Sequence, residues 1–239
     1  LNKLLSMIIL ITGASRGMGL AIAKEFAAHG YDLLLSARNE NRLLEVAASL
    51  QTSFPSIRVA AKAIDLAERG SAHALGKWVL DMGVVPDVVI NNAGIFEPGN
   101  VSNEPEGVLE AQLQLNLLSA YHLTRILLPA MKLRRSGHIF NMCSIASLKS
   151  YDNGGAYSIS KFALYGFSQN LRHELKSQGI KVTSVLPGAV FTDSWKGFDN
   201  SDHRIMEPED IAKLVFTASQ LSEGACVEDI VVRPQLGDL

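Results

Sequence analysis

The sequence predicts an α/β protein with a doubly wound parallel sheet of about seven strands and helices on both faces. Short apolar runs without polar alternation recur along the chain, as strands covered on both faces require. Segments with helical spacing separate them, with no linker, repeat or low-complexity stretch between. The first apolar run ends in a glycine-rich turn that opens directly into a helix.

That first run is Met7–Thr12. Gly13-Ala-Ser15-Arg16-Gly17-Met18-Gly19 follows, and then Leu20, Ile22, Ala23, Phe26 and Ala27 at helical spacing. A strand, a glycine turn and a helix N-terminus together form a cradle for a pyrophosphate, because glycines admit close backbone approach and the helix end offers free N–H groups. Tyr31–Ser36 reads as the second strand, ending in Ala37-Arg38-Asn39. An acid there would take up a ribose 2′-hydroxyl, whereas an arginine pairs with a 2′-phosphate. Arg38, with Arg16, therefore points to NADP(H) in preference to NAD(H).

Residues 41–53 read as a helix, and Ile57–Ile64 as a third strand running into Asp65-Leu66, where Asp65 contacts adenine or caps the next helix. A helix over 67–82 precedes a fourth strand, Asp87–Ile90, and the exit Asn91-Asn92-Ala93-Gly94, whose small residues allow close approach to a dinucleotide. Residues 106–133 read as one long helix. Asn116, with Gln112 and Gln114, interrupts its apolar side and marks a kink or a functional position.

The stretch from Asn141 to Lys161 carries the chemistry. The apolar run Ile139–Cys143 delivers Ser144 at its end, and a Gly pair launches a helix over 156–178. Tyr157 and Lys161 then share one helix face, a turn apart. An ammonium beside a phenol favours the phenolate and makes the phenol a usable acid; a serine hydroxyl beside them can hold a carbonyl oxygen. Ile180–Leu186 is the sixth strand, followed by Pro187-Gly188-Ala189-Val190-Phe191-Thr192. Residues 193–206 are polar, with Trp195 and Phe198, and read as a short lid over the site. A helix begins at Glu207 with acids in its first turn, and Val227–Val232 is the last strand.

The chain has 239 residues with 47% hydrophobic and 19% charged residues and a net charge of −2. One domain spanning 1–239 accommodates it. With no basic block, nucleic acid is not an expected partner, and apolar runs of strand length exclude a membrane span. Cys143 and Cys226 have no metal or redox spacing and fit a reducing compartment, so the cytoplasm is expected. The histidines form no ligand cluster, and no metal is expected.

Taken together in order and spacing, Thr12-Gly13-x-x-x-Gly17-x-Gly19, Asp65, Asn91-Asn92-Ala93-Gly94, Asn116, Ser144, Tyr157-x-x-x-Lys161 and Pro187-Gly188-x-x-x-Thr192 resemble the short-chain dehydrogenase/reductase family over essentially the whole chain. Pro208-Glu-Asp-Ile-Ala212 and the ending from Glu228 to Asp238 look most like bacterial sepiapterin-reductase-like members. The resemblance implies reduction of a small carbonyl compound, with Tyr157 as general acid. Lys161 would support Tyr157 and hold the nicotinamide ribose, Ser144 would orient the substrate oxygen, and Asn116 would anchor a relaying water. Gly13, Ser15, Arg16, Gly17, Met18, Gly19, Arg38, Asp65, Leu66, Asn92, Ala93, Gly94, Pro187, Gly188, Val190 and Thr192 would bind the cofactor together with Tyr157 and Lys161. Trp195 would join Ser144 and Tyr157 against the substrate by stacking, or else pack against protein. The resemblance also implies a homodimer or homotetramer through residues 106–133 and 156–178. Alcohol oxidation with NAD(P) and non-catalytic NADP binding are the competing readings; an intact Ser144, Asn116, Tyr157 and Lys161 set disfavours the second.

Overall fold

A computed structural model describes residues 6–195 and 197–238. Seven strands, β1 (Ile8–Thr12), β2 (Asp32–Ala37), β3 (Val59–Ala63), β4 (Val88–Asn91), β5 (Gly137–Met142), β6 (Ile180–Pro187) and β7 (Asp229–Val232), form one sheet in the order β3-β2-β1-β4-β5-β6-β7. Every pairing is parallel. The order reverses between β1 and β4, and a crevice opens there above the strand ends.

Successive side chains of a strand point to opposite faces, and here both faces are covered. Ile9 and Ile11 of β1, with Leu33, Leu35, Ile90 and Phe140, pack under helices α1 (Gly17–Ala28) and α7 (Pro208–Ser219) through Ile22, Phe26, Ile211 and Val215. Leu10, Leu34, Val89, Ile139 and Val182 face Leu75 and Val79 of α3 (Ser71–Asp81), Leu123 and Leu127 of α5 (Ser119–Arg134) and Leu171 and Leu175 of α6 (Gly155–Leu175). This two-sided burial is why the strands lack polar alternation. Helix α2 (Glu40–Ser53) is capped by Asn39, whose side chain accepts from Arg42 N–H at 2.9 Å.

Two helices differ from the sequence expectation. The segment after β3 turns first, with Asp65 Oδ1 accepting from Ala67 N–H at 2.9 Å, and α3 starts only after Gly70, whose φ of +83° cannot continue a helix. The expected helix over 106–133 is divided into α4 (Val108–Leu113), a π-helical turn at Gln114–Leu118 and α5. Asn116 sits inside that turn, so the polar interruption in the sequence marks a change of helical winding. Among the described residues no helix is long and apolar enough to cross a membrane.

His138 on β5 gives the fold an acid dependence. Its ring stacks on Phe140, and it is 5% exposed. Nε2 lies 2.7 Å from Thr183 Oγ1, which itself donates to Val227 O, so Nε2 carries the proton and donates. Nδ1 is buried with no partner among the described residues. Burial, and then the charge of Lys181, push His138 down from 6.5 to about 3. The unfolded chain therefore takes up this proton first, and its stabilisation, complete above about pH 6.5, declines as pH falls toward 3. Between pH 7.5 and pH 5 the urea midpoint should move by the equivalent of about 2 kcal/mol from this group. His138→Phe should flatten that slope; an unchanged slope would show that His138 is not the titrating group.

Candidate active site

The glycine turn after β1 is built for close approach. Gly13 has φ +66°, and a Cβ there would meet Asn92 Nδ2 at 2.9 Å; a Cβ on Gly19 would fall 2.3 Å from the Gly13 carbonyl oxygen. Asn92 holds the turn in place, donating from Nδ2 to Thr12 O at 2.9 Å and to Gly13 O at 3.1 Å. Thr12 Oγ1 accepts from the N–H groups of Asn92 and Ala93, both at 3.0 Å, and donates to Ile90 O. The ends of β1 and β4 are thus stitched together. Helix α1 has no side-chain cap and no acid in its first turn, so its free N–H groups and positive end are left for an external anion. These features fit the pyrophosphate of a dinucleotide.

On the other side of the crevice, β5 ends at Met142 and delivers Cys143 and Ser144. Ser144 is held at both ends: its N–H meets Ser147 Oγ at 3.2 Å, and its Oγ accepts from Ala146 N–H at 3.1 Å. That leaves the hydroxyl proton to point at a bound oxygen. Cys143 is no nucleophile, because burial pushes its thiol up to about 11. Helix α6 then brings up Tyr157 and Lys161. Gly154 offers no capping side chain, and Glu104, from the loop after β4, supplies one by accepting from Ala156 N–H at 2.7 Å. Lys161 is 7% exposed, donates from Nζ to Met142 O at 2.7 Å, and lies 5.7 Å from the centroid of the Tyr157 ring. A second phenol, Tyr151, also lines the cleft.

Asn116 lies behind this pair. Its Oδ1 accepts from Ile95 N–H at 2.8 Å, while Nδ2 donates to Ile95 O at 3.0 Å and to Ser160 Oγ at 2.9 Å. Ser160 donates in turn to Tyr157 O at 2.7 Å. Both Nδ2 protons are engaged, so Asn116 can meet a relaying water only as an acceptor.

The cleft has a volume of about 640 Å³ and gathers most of the residues singled out in the sequence: Met18, Asn92, Gly94, Ser144, Tyr157, Lys161, Pro187, Gly188, Val190, Thr192 and Trp195. Gly13, Ser15, Gly17 and Gly19 form the adjoining turn, and Ala93 continues the Asn92 contacts. Thr192 packs on Gly17, where a Cβ would meet Thr192 Cγ2 at 3.2 Å. Leu66 is different: its side chain is buried in the core, leaving only its backbone for a ligand. Trp195 meets Phe198 edge-on at 5.3 Å and lines the cleft. Arg38, 75% exposed, stands 3.7 Å from Asp65, and Arg16 is paired with Asp193. Three contributors were not picked out in the sequence. Phe96 packs edge-on against Tyr157 at 4.9 Å, Glu104 accepts from the Ala156 N–H, and Ser160 links the Asn116 side chain to the Tyr157 carbonyl. The Gly154-Gly155 pair, a helix start without its own cap, was the available hint of Glu104.

A family model described as short chain dehydrogenase matches residues 7–202. The sepiapterin reductase of Chlorobaculum tepidum is 32% identical over 240 residues, covering 97% of this chain and 98% of that protein. Among solved structures, an alcohol dehydrogenase from the archaeon Thermococcus sibiricus, complexed with 5-hydroxy-NADP, superposes with a TM-score of 0.88 at 26% identity, over 96% of this chain and 97% of that one. L-Sorbose reductase from Gluconobacter frateurii, complexed with NADPH and L-sorbose, gives a TM-score of 0.85 at 28% identity, over 95% of each chain. With the glycine turn, the Ser144, Tyr157 and Lys161 cluster and the seven-stranded parallel sheet all in place, the chain belongs to the short-chain dehydrogenase family of oxidoreductases.

Proposed function

We propose that this protein is an NADPH-dependent reductase of a small carbonyl compound. The observation that carries the proposal is the convergence of Ser144, Tyr157 and Lys161 on one cleft beside an uncapped, glycine-floored helix N-terminus. The turn at residues 13–19 would hold the pyrophosphate, and Gly94, Pro187, Gly188, Val190 and Thr192 the nicotinamide end. When bound, the reduced nicotinamide supplies a hydride to the carbonyl carbon. The substrate oxygen accepts a hydrogen bond from Ser144 and the phenolic proton from Tyr157 as charge develops on it. Lys161, whose Nζ lies 5.7 Å from the centroid of the Tyr157 ring, would stabilise the phenolate that remains, and a water that donates to Asn116 would return the proton.

The absence of an acid at residues 36–38, together with Arg38 and Arg16, supports the phosphorylated cofactor. So do the 5-hydroxy-NADP of the Thermococcus sibiricus structure and the NADPH of the L-sorbose reductase structure. Exposed Ile159 and Phe162 on α6 support self-association as a dimer or tetramer, and the unpaired thiols of Cys143 and Cys226 support a cytoplasmic setting.

The test is loss of NADPH absorbance with a panel of small ketones, aldehydes, diketones and pterins. Turnover by the wild type but not by Tyr157→Phe is the expected outcome; no turnover of any panel member by pure, folded protein would count against reduction. For the cofactor, Arg38→Asp should weaken NADPH binding about tenfold or more while leaving NADH within about threefold. Equal weakening would show that Arg38 does not meet the 2′-phosphate.

A further inference from the structure

The segment that follows β6 closes back on the cofactor side of the molecule. Asp193 Oδ2 lies 2.5 Å from Arg16 Nη1 and 3.6 Å from Arg42 Nη1. The hydrogen bond from Arg16 is the main cause, opposed by desolvation and helped by the charge of both arginines, that holds the Asp193 carboxyl below the ordinary carboxylate range. A carboxylate therefore sits on the guanidinium that a 2′-phosphate would need. The side chains of Arg16, Arg42 and Asp193 are 57%, 48% and 49% exposed, and an ion pair this open to water yields readily to a stronger anion.

The same segment is a shared wall. Thr192 and Trp195 line both the 640 Å³ substrate cleft and a 710 Å³ groove that runs past Arg16, Lys24 and Arg42. Trp195 N–H donates to Thr192 O at 2.8 Å, so the turn that carries Asp193 also carries the indole.

We propose that Asp193 is a specificity-determining residue that stands in for the 2′-phosphate: the two compete for Arg16, and displacement of Asp193 shifts residues 192–195 and with them the Trp195 wall of the substrate cleft. The cleft then senses a phosphorylated cofactor and ignores its unphosphorylated counterpart. This rests on the NADPH reading above.

The experiment uses adenosine 2′,5′-bisphosphate and adenosine 5′-monophosphate as probes. Calorimetry on Asp193→Asn should show binding of the bisphosphate tightened about three- to fivefold over the wild type, with the monophosphate within twofold. In a Trp78→Phe background, where Trp195 is the remaining tryptophan, the bisphosphate should shift Trp195 emission and the monophosphate should not. Adding Asp193→Asn should produce the shifted emission before any ligand is present. Unchanged bisphosphate affinity in Asp193→Asn overturns the proposal, as does bound bisphosphate that leaves Trp195 emission where it was. If the wild type binds both nucleotides equally, the NADPH reading itself fails, which the calorimetry distinguishes from the other two results.

Discussion

Replacing Tyr157 with phenylalanine is expected to lower kcat by about 10²–10⁴-fold, the range that a positioned general acid contributes. The aromatic ring survives the change, so its edge contact with Phe96 at 4.9 Å is kept, and only the proton donor goes. Lys161 keeps its own anchor on Met142 O at 2.7 Å. Binding of NADPH should therefore stay within about threefold of wild type while turnover collapses, a pattern diagnostic of an interaction made in the transition state. Activity of Tyr157→Phe within tenfold of the parent would remove Tyr157 from the chemistry and leave a nucleotide-binding protein.

Gly19→Ala should damage stability and cofactor binding together. Its Cβ would lie 2.3 Å from the carbonyl oxygen of Gly13 and 2.6 Å from Asn92 Nδ2. Neither can give way freely, since the Gly13 carbonyl belongs to a turn held at φ +66° and Asn92 is the residue that ties that turn to β4. Opening the turn costs about 1–3 kcal/mol of stability. It also moves the anion cradle by a distance at which alignment is lost, so affinity for NADPH should fall by about 10²-fold or more. Gly166 is the matched control: it lies inside α6 with nothing within 4 Å of a Cβ. There alanine should be neutral or stabilising by up to about 1 kcal/mol. Urea midpoints and calorimetric titration with NADPH measure both quantities, and similar losses in the two variants would sink the close-packing account of Gly19.

What the sequence revealed was what the chain determines locally. The β1, glycine turn and α1 unit lies within about twenty consecutive residues, and the pairing of Tyr157 with Lys161 follows from helical period alone. Asn116 was visible as an anomaly, a polar residue on an apolar face, but its π turn depends on Ile95 and Ser160, which lie 21 and 44 residues away. Glu104 gave no signal of its own, since its bond to the start of α6 spans 52 residues. The pairing of Arg16 with Asp193, 177 residues apart, redirects an arginine whose local context suggested only a phosphate. Periodicity reports which face of an element is buried, not which distant group meets its polar atoms.

The cover that α7 provides for α1 has a consequence for the newborn polypeptide. Phe216 meets Phe26 and Tyr31 edge-on at 5.3 Å and 6.4 Å and stacks on His29, and Gln220 donates to the Tyr31 hydroxyl at 3.0 Å. Helix α7 begins at Pro208, far along the chain from α1, so the helix that carries the nucleotide turn is made well before its cover and waits with its aromatic flank open. Contacts of such sequence separation form late, which leaves apolar surface open on the half-made chain.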